Sequence, residues 1–207
     1  NGSRSGSAYV YRYNGSSWIE EKKLTASDAA AGDLFGFSVS ISDDVALVGA
    51  YLDEVLTSAG QGSAYVYRYD GLNWMEEQKL TSSDGAANDR FGESVAISGD
   101  VILVGAIGTS VGTNTGQGGS YIYRFNGTNW VEEQKLIASD GAANSRLGEA
   151  VSISGNVALV EKYFFHLEYR LADVDSFLCN TIPSIPSATD NCTAQGNLTV
   201  TVNPSGP

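Results

Sequence analysis

Residues that usually carry enzyme chemistry are scarce in this 207-residue chain, which contains two cysteines, one histidine and one methionine. Cys179, Cys192 and His166 all follow residue 160, so residues 1–160 contain neither a thiol nor an imidazole. Nucleophilic catalysis therefore has few groups to draw on in that part of the sequence. We expect no enzyme activity.

Basic side chains are also in deficit, with 12 lysines and arginines against 24 aspartates and glutamates and a net charge of -12. Such a chain repels a phosphate backbone, which argues against nucleic acid as a partner. The apolar runs are strand-sized, so we expect no membrane span. The low charged content of 17%, together with 24 glycines and 11 tyrosines, favours a turn-rich β protein.

What the sequence does contain is a repeat. Trp18, Trp74 and Trp130 recur every 56 residues. A Phe-Gly or Leu-Gly pair keeps the same step, at Phe35-Gly36, Phe91-Gly92 and Leu147-Gly148. A fixed period of this length indicates supersecondary units that stack on one another.

Each repeat carries four strand signals, seen in the first copy as follows. Aromatic residues alternate over 9–13, an Asn-Gly turn follows at 14–15, and a charged strand runs over 18–24. A third strand around 38–41 is apolar on one side and small on the other, which suits the inner strand of a radial array. The continuous apolar run over 45–48 predicts a strand covered on both faces.

Four antiparallel strands with a charged outer strand and a small-residue inner strand describe a β-propeller blade. We predict an all-β protein of such blades. Because propellers usually close with four to eight blades, we expect a partial or open arc, either as a fragment of a larger propeller, as an incomplete arc or as a protomer that assembles with others. Its open ends would leave apolar faces unburied, so we also expect the chain to self-associate through the open blade faces or to be only marginally stable.

The repeats resemble the FG-GAP repeat family, known from integrin α-subunit propellers and from many bacterial surface and secreted proteins. The resemblance covers residues 6–160, and blades counted as in that family run over 35–80 and 91–136, with half-blades on each side. The residues of the structural motif are Phe35, Gly36, Gly49, Ala50, Phe91, Gly92, Gly105, Ala106, Leu147 and Gly148.

The resemblance implies a function and a location. It implies a non-catalytic extracellular or cell-surface scaffold for binding or adhesion, which meets a protein or glycan ligand with its rim loops. The alternatives are a structural spacer of a larger surface protein and the non-catalytic part of a secreted enzyme. The sequence begins at Asn1 without a recognisable signal peptide, so we expect any export signal to lie outside this segment.

The family's calcium loop is not carried over. That loop is acidic at alternate positions and precedes the strand that ends in Gly-Ala, but here two turn residues occupy its place, as at Asp43-Asp44 and Gly99-Asp100. Calcium needs six to eight oxygens, which two residues cannot supply by wrapping around an ion. We expect no cofactor, and calcium stays the alternative.

Other acidic and aromatic residues receive structural interpretations. The pairs Asp28 with Asp33 and Asp84 with Asp89, and Asp140 with Ser145 in the third copy, are expected to cap backbone N–H groups in loops. Asp53 and Glu54 are interpreted as solvated charges. The three tryptophans are expected to pack near a hairpin turn rather than to stack on sugars. This set of residues thus predicts no catalytic or metal site.

The repeat stops abruptly after Val160, where Glu161 and Lys162 replace the expected Gly-Ala. We divide the chain into blades over 1–160 and a non-repeat tail over 161–207, and hypothesise a gene-model error, a frameshift or recombination at the junction. The end of the tail resembles the hyaline repeat, an immunoglobulin-like extracellular module. Cys179 and Cys192 are candidates for a disulfide that closes a short loop, or are two unpaired thiols.

Overall fold

A computed structural model describes residues 4–162, and its regular elements there are β-strands. None of the described residues lies in a helix with the length and apolarity that a membrane span requires. The strands, in chain order, are β1 (Ala8–Tyr13), β2 (Trp18–Leu24), β3 (Ser38–Ser42), β4 (Val45–Ala50), β5 (Ser63–Tyr69), β6 (Trp74–Leu80), β7 (Phe91–Ser98), β8 (Val101–Ala106), β9 (Gly119–Phe125), β10 (Trp130–Leu136), β11 (Val151–Ser154) and β12 (Val157–Val160).

The twelve strands form two complete sheets and two half-sheets. The complete sheets have the orders β3-β4-β5-β6 and β7-β8-β9-β10, and every neighbouring pair is antiparallel. β1 pairs with β2, and β11 pairs with β12. By the 56-residue period, β1-β2 is an outer half-blade and β11-β12 is an inner half-blade. The prediction of four-stranded antiparallel blades in an open arc is confirmed.

Two kinds of turn reverse the chain at one end of each blade. The connections β3-β4, β7-β8 and β11-β12 are two residues long and begin with φ near +50°, at Asp43, Gly99 and Gly155. The connections β1-β2, β5-β6 and β9-β10 have four residues. Their first side chain accepts hydrogen bonds from backbone N–H groups, as Asn14 Oδ1 does from Ser16 and Ser17 at 3.0 Å. The Asn-Gly signal thus marks a longer side-chain-stabilised loop rather than a two-residue turn.

The inner strands β3, β7 and β11 lie side by side, and their small residues explain how. The Ser38 hydroxyl donates to the carbonyl of Gly92 at 2.8 Å, and the Ser94 hydroxyl donates to the carbonyl of Gly148 at 2.6 Å. A serine is short enough to reach the backbone of the next sheet without separating the two. The small face predicted for this strand therefore serves as a hydrogen-bonded contact between blades.

Two apolar cores fill the spaces between neighbouring sheets. One lies between β1-β2 and the first complete sheet, and it includes Val10, Phe35 and Tyr65. The other lies between the two complete sheets, and it includes Leu47 and Phe91. Because each core is built from two repeats, one blade cannot hide its apolar faces alone.

Candidate functional site

The Phe-Gly and Gly-Ala motifs lock one blade against the next. Phe35 and Phe91 are buried in the cores between sheets, where Phe91 packs edge-on against Tyr121 with ring centroids 5.5 Å apart. Leu147 is buried at the corresponding place. Ala50 and Ala106 are fully buried at the ends of β4 and β8.

The glycines of the two motifs meet where the backbones of successive repeats come closest. Gly92 has φ +89°, and a Cβ added there would collide with the carbonyl oxygen of Ser63. A Cβ on Gly49 would collide with the carbonyl of Gly92 itself. Gly105 and Gly148 repeat this close contact one blade later. Glycine is required here because no side chain fits between the strands.

The repeat ladder continues past the point where sequence similarity ends. Glu161 stands where Gly-Ala is expected, yet its carbonyl accepts the Gly148 N–H and its own N–H donates to Ala150, both at 2.9 Å. Backbone bonds do not depend on side-chain identity, so the hydrogen-bond pattern of the repeat extends to Glu161, one residue beyond the end of β12. The division into 1–160 and 161–207 stays a prediction, and Cys179 and Cys192 lie outside the described residues.

Asp28 and Asp84 hold neighbouring repeats together instead of capping loops. Asp28 accepts hydrogen bonds from the Tyr65 hydroxyl at 2.8 Å and from Lys79 Nζ at 2.6 Å. Asp84 does the same with Tyr121 at 2.7 Å and Lys135 at 2.7 Å. The capping assignment was wrong for these two residues, since each faces a lysine and a tyrosine of the next repeat.

In each pair of loop aspartates, the second residue is the one that caps a backbone N–H group. Asp33 accepts the Ala30 N–H at 2.6 Å, and Asp89 accepts the Ala86 N–H at 2.9 Å. Ser145 takes over with its hydroxyl oxygen in the third copy. An aspartate and a serine are interchangeable as caps, which explains why the carboxylate is lost there without loss of the loop.

Asp53 is buried, so the interpretation as a solvated charge was wrong. It lies 2.6 Å from Lys79 Nζ, and it accepts hydrogen bonds from the Ser63 and Tyr65 hydroxyls. Lys79 thus lies between two carboxylates. Burial tends to lower the pKa of Lys79, but Asp28 and Asp53 outweigh it and raise the pKa. A buried ion needs such partners.

The lysines of these ionic contacts can be identified from the sequence, whereas Asp53 cannot. Lys79 and Lys135 recur with the repeat, so their role could have been found by asking which acidic residue recurs with them. Asp53 has no acidic counterpart, because Thr109 occupies its place, and nothing in the repeat pattern distinguishes it from a surface charge.

We expect Asp84→Asn to lower the free energy of unfolding by about 1 kcal/mol at pH 7, a modest value because the side chain is half exposed and screened by water. Burial tends to raise the pKa of Asp84, but Lys135 and Tyr121 outweigh it and hold the pKa below its ordinary value. A carboxylate with a lowered folded pKa stabilises the fold above the unfolded pKa, and this contribution is lost as pH falls through the folded pKa.

Urea unfolding of Asp84→Asn and of the parent chain at neutral and acidic pH checks this expectation. The difference between the two should vanish in acid. Asp100→Asn, in the exposed β7-β8 turn, is the control and should cost little at either pH. A cost that is the same at both pH values would show that the Asp84 carboxylate does not provide the stabilisation.

The tryptophans of the complete sheets are structural. Trp74 is 4% exposed and packs beside Tyr69 with ring centroids 5.4 Å apart. Trp130 is buried beside Phe125 in the same way, at 5.2 Å. Trp18, on the outer half-blade, is 69% exposed. The expectation of packing near a turn holds for Trp74 and Trp130. Trp18 is exposed instead, because residues 4–162 include no blade that precedes it and could cover it.

Long loops gather at the edge of the blades opposite the short turns. Residues 51–62 join β4 to β5, residues 107–118 join β8 to β9, and we call these two loops the long-loop rim. Both have the same backbone, with bridges between Val55 and Ser58 and between Val111 and Asn114. They are anchored to the following repeat by hydrogen bonds such as Asn88 N–H to Ala59 O at 3.0 Å.

The side chains at the two loop tips differ although the backbones agree. Leu56 is 94% exposed and has φ +58°, a left-handed conformation that glycine favours. Its counterpart one repeat later is Gly112, also with φ +58°. A leucine therefore lies at a position where the backbone favours glycine and where its side chain buries almost nothing.

Metal ligands do not cluster in the described part of the chain. Residues 4–162 contain no group of three or more His, Cys, Asp or Glu side chains arranged to hold an ion. The turns Asp43-Asp44 and Gly99-Asp100 are two residues long, as the sequence predicts. The absence of a cofactor and the calcium alternative both stay predictions.

A comparison with protein-family models agrees with this architecture. The model described as FG-GAP repeat matches residues 18–67, 74–123 and 130–164. Each matched span begins at one of the three tryptophans and passes through a Phe-Gly or Leu-Gly pair. The matches start in the outer strands and therefore join the parts of two successive sheets.

Proposed function

This chain belongs to the FG-GAP repeat family, and we propose that it is a non-catalytic binding or adhesion scaffold that works outside the cell or at its surface. The family's repeats typically occur in extracellular or surface proteins and generally carry no catalytic centre. The scaffold would use the long-loop rim to meet a protein or glycan ligand. Its blades supply rigidity and its loops supply recognition.

Leu56 is the observation that carries the proposal. A left-handed leucine costs about 1–2 kcal/mol in backbone strain, and at 94% exposure its side chain recovers little by burial. Gly112 shows that the same loop forms without a side chain at this position. Strain kept at an exposed loop tip is characteristic of a binding position.

The acidic residues near the rim support a scaffold over an enzyme. Asp28 and Asp84 are engaged by lysines and tyrosines of the next repeat, and Asp33 and Asp89 cap their own loops. Residues that repeat in each copy serve every blade alike, whereas a catalytic site needs a single asymmetric arrangement.

We expect Leu56→Gly to abolish ligand capture while leaving the free energy of unfolding unchanged or higher by up to about 1 kcal/mol. The substitution removes the exposed apolar group and relieves the left-handed strain. Capture is measured on immobilised collagen, fibronectin and laminin and on a panel of neutral and acidic oligosaccharides, and stability is measured by urea unfolding.

Leu72→Ser is the matched control. Leu72 is 84% exposed, but it lies in the β5-β6 loop at the opposite edge of the same blade. It should bind as the parent chain does. If both variants lose capture equally, the interaction is a general apolar effect; if the parent chain captures none of the probes, this proposal for the rim fails.

A further inference from the structure

One loop of the repeat occurs three times with a single backbone conformation. It joins the two outer strands and spans residues 14–17, 70–73 and 126–129, which we call the outer loops. In every copy the N–H of the first residue donates to the carbonyl of the fourth at 3.0 Å. The second residue is always a glycine, with φ between +95° and +99°. Because the backbones agree, the side chains of the three loops can be compared directly.

The turn itself requires one acceptor oxygen on its first side chain. Asp70 Oδ1 accepts the N–H groups of Leu72 and Asn73 at 2.8 and 2.7 Å. Asn126 Oδ1 accepts the equivalent pair at 3.0 and 2.9 Å. The Nδ2 groups of Asn14 and Asn126 donate to no acceptor among residues 4–162. A carboxylate therefore serves the turn as well as an amide does, and the turn makes no use of the amide nitrogen.

The two asparagine copies share a second feature, a hydroxyl at the third position, which the aspartate copy lacks. The third residues are, in chain order, Ser16, Leu72 and Thr128. The Ser16 hydroxyl donates to Asn14 Oδ1 at 2.9 Å. Amide and hydroxyl are thus both present or both absent, and the aspartate copy forms the same turn without either. Asn-x-Ser/Thr is the acceptor tripeptide of N-glycosylation, in which the amide nitrogen receives the sugar.

The outer loops are open to solvent for a reason that does not depend on the ends of the chain. All of their residues are exposed, including those at 70–73, whose sheet has an apolar core on each side. A Cβ added at Gly15, Gly71 or Gly127 would meet no atom within 4 Å. A bulky polar group can therefore extend from this turn without displacing a neighbouring strand.

We propose that Asn14 and Asn126 are sites of N-glycosylation, with a lipid-linked oligosaccharide as the sugar donor. The Nδ2 nitrogen attacks the anomeric carbon of the donor, and the bond from that carbon to the diphosphate oxygen breaks. The diphosphate leaves with the bonding electron pair, and Nδ2 gives up one proton to a base of the transferase. Glycosylation here rests on the proposed function in one respect, because a chain that works outside the cell can meet this transferase during export.

The position of the two asparagines is compatible with ligand binding at the long-loop rim. The outer loops lie at the opposite edge of the blades, so sugars at Asn14 and Asn126 leave Leu56 accessible. The sugars stand on the two blades beside Leu72, whose apolar side chain is 84% exposed. Since N-linked sugars are bulky and solubilising, they would shield this edge from other proteins.

Peptide mapping by mass spectrometry tests the proposal on the full chain, purified from the cells that make it. We expect the peptides that contain Asn14 and Asn126 to carry a glycan. Peptide-N-glycosidase should remove the glycan and leave aspartate at both positions. Asn1, Asn191 and Asn197 also precede a hydroxyl residue by two positions but lie outside the described residues, so each peptide is scored separately. The proposal is overturned if either Asn14 or Asn126 is recovered unmodified.

Variants of the outer loops, secreted from a eukaryotic cell line, test the role of each group. Thr128→Ala keeps the acceptor oxygen of the turn and removes only the hydroxyl, so the glycan at Asn126 should be lost while that at Asn14 stays. Asp70→Asn combined with Leu72→Thr builds a third acceptor and should gain a glycan. Asp70→Asn alone is the matched control and should gain none. A glycan kept in Thr128→Ala, none gained in the double variant, or one gained in the control would each contradict the assignment.

Glycan mapping and ligand capture give independent results. Capture by the long-loop rim can be measured on chain made in a host without N-glycosylation, and mapping needs no ligand. Unmodified asparagines on a chain that still captures a ligand would overturn the glycosylation sites alone. Glycosylated asparagines on a chain that captures none of the probes would overturn only the role of the rim. Circular dichroism confirms that every variant is folded.

Discussion

Replacing Gly92 by alanine should destabilise the chain by about 4 kcal/mol or more, an effect large enough to leave much of it unfolded. Gly92 has φ +89°, where an L-residue is strained, and its new Cβ would collide with the Ser63 carbonyl. Backbone atoms of two strands cannot move aside as the end of a side chain can. The methyl group would therefore separate the strands that the motif brings together.

Two further substitutions separate the sources of this cost. Gly71 has φ +97° with open space around it, so Gly71→Ala measures the backbone strain alone and should cost about 1–2 kcal/mol. At Gly105 no positive φ is present, but a Cβ would collide with the Gly148 carbonyl, so Gly105→Ala measures the collision. Urea unfolding followed by circular dichroism gives all three values. If Gly92→Ala costs no more than Gly71→Ala, close backbone contact is not the reason for the glycine.

The sequence was sufficient to predict the strands and blades because the repeat occurs in three copies, so the residues at each position can be compared among them. The apolar run over 45–48 reports burial directly, because every residue of β4 is buried. The alternation over 9–13 predicts the strand β1 but not its burial, since Tyr9, Tyr11 and Tyr13 are about half exposed. The small residues of the inner strand likewise predicted a close approach of sheets, which the bond from Ser38 to Gly92 shows.

What the sequence could not provide is the pairing of side chains between repeats. Asp28 and Lys79 are 51 positions apart, and no local pattern joins them. The environment of Asp53 is still harder to predict from the sequence, because Asp53 is buried against a lysine and a tyrosine of other strands. Side chains without a counterpart in the other repeat, such as Asp53 and Leu56, cannot be identified by an argument built on recurrence.

The same reasoning explains why identical residues have different environments. Trp18, Trp74 and Trp130 occupy one position of the repeat, yet Trp18 is exposed while the other two are buried. A repeat specifies what a residue can contact, and the neighbouring blade determines whether the contact is made. The position of a blade in the arc therefore matters as much as its sequence.

Trp130→Ala should lower the free energy of unfolding by about 3–5 kcal/mol, while Trp18→Ala should change it by less than about 0.5 kcal/mol. Trp130 is buried between the complete sheets, where Gln78 binds its backbone and Phe125 packs on its ring. Its removal leaves a cavity at a blade boundary. Trp18 faces solvent, so its removal leaves no cavity.

The measurement is urea unfolding followed by circular dichroism, since each variant removes a fluorophore. Trp74→Ala is a second internal position and should resemble Trp130→Ala. Equal losses of stability for Trp18→Ala and Trp130→Ala would show that burial at a blade boundary is not the source of the cost. A small loss for Trp18 beside a large loss for Trp130 would show that the neighbouring blade determines how much this tryptophan stabilises the fold, because the two residues occupy the same position of the repeat and differ in burial.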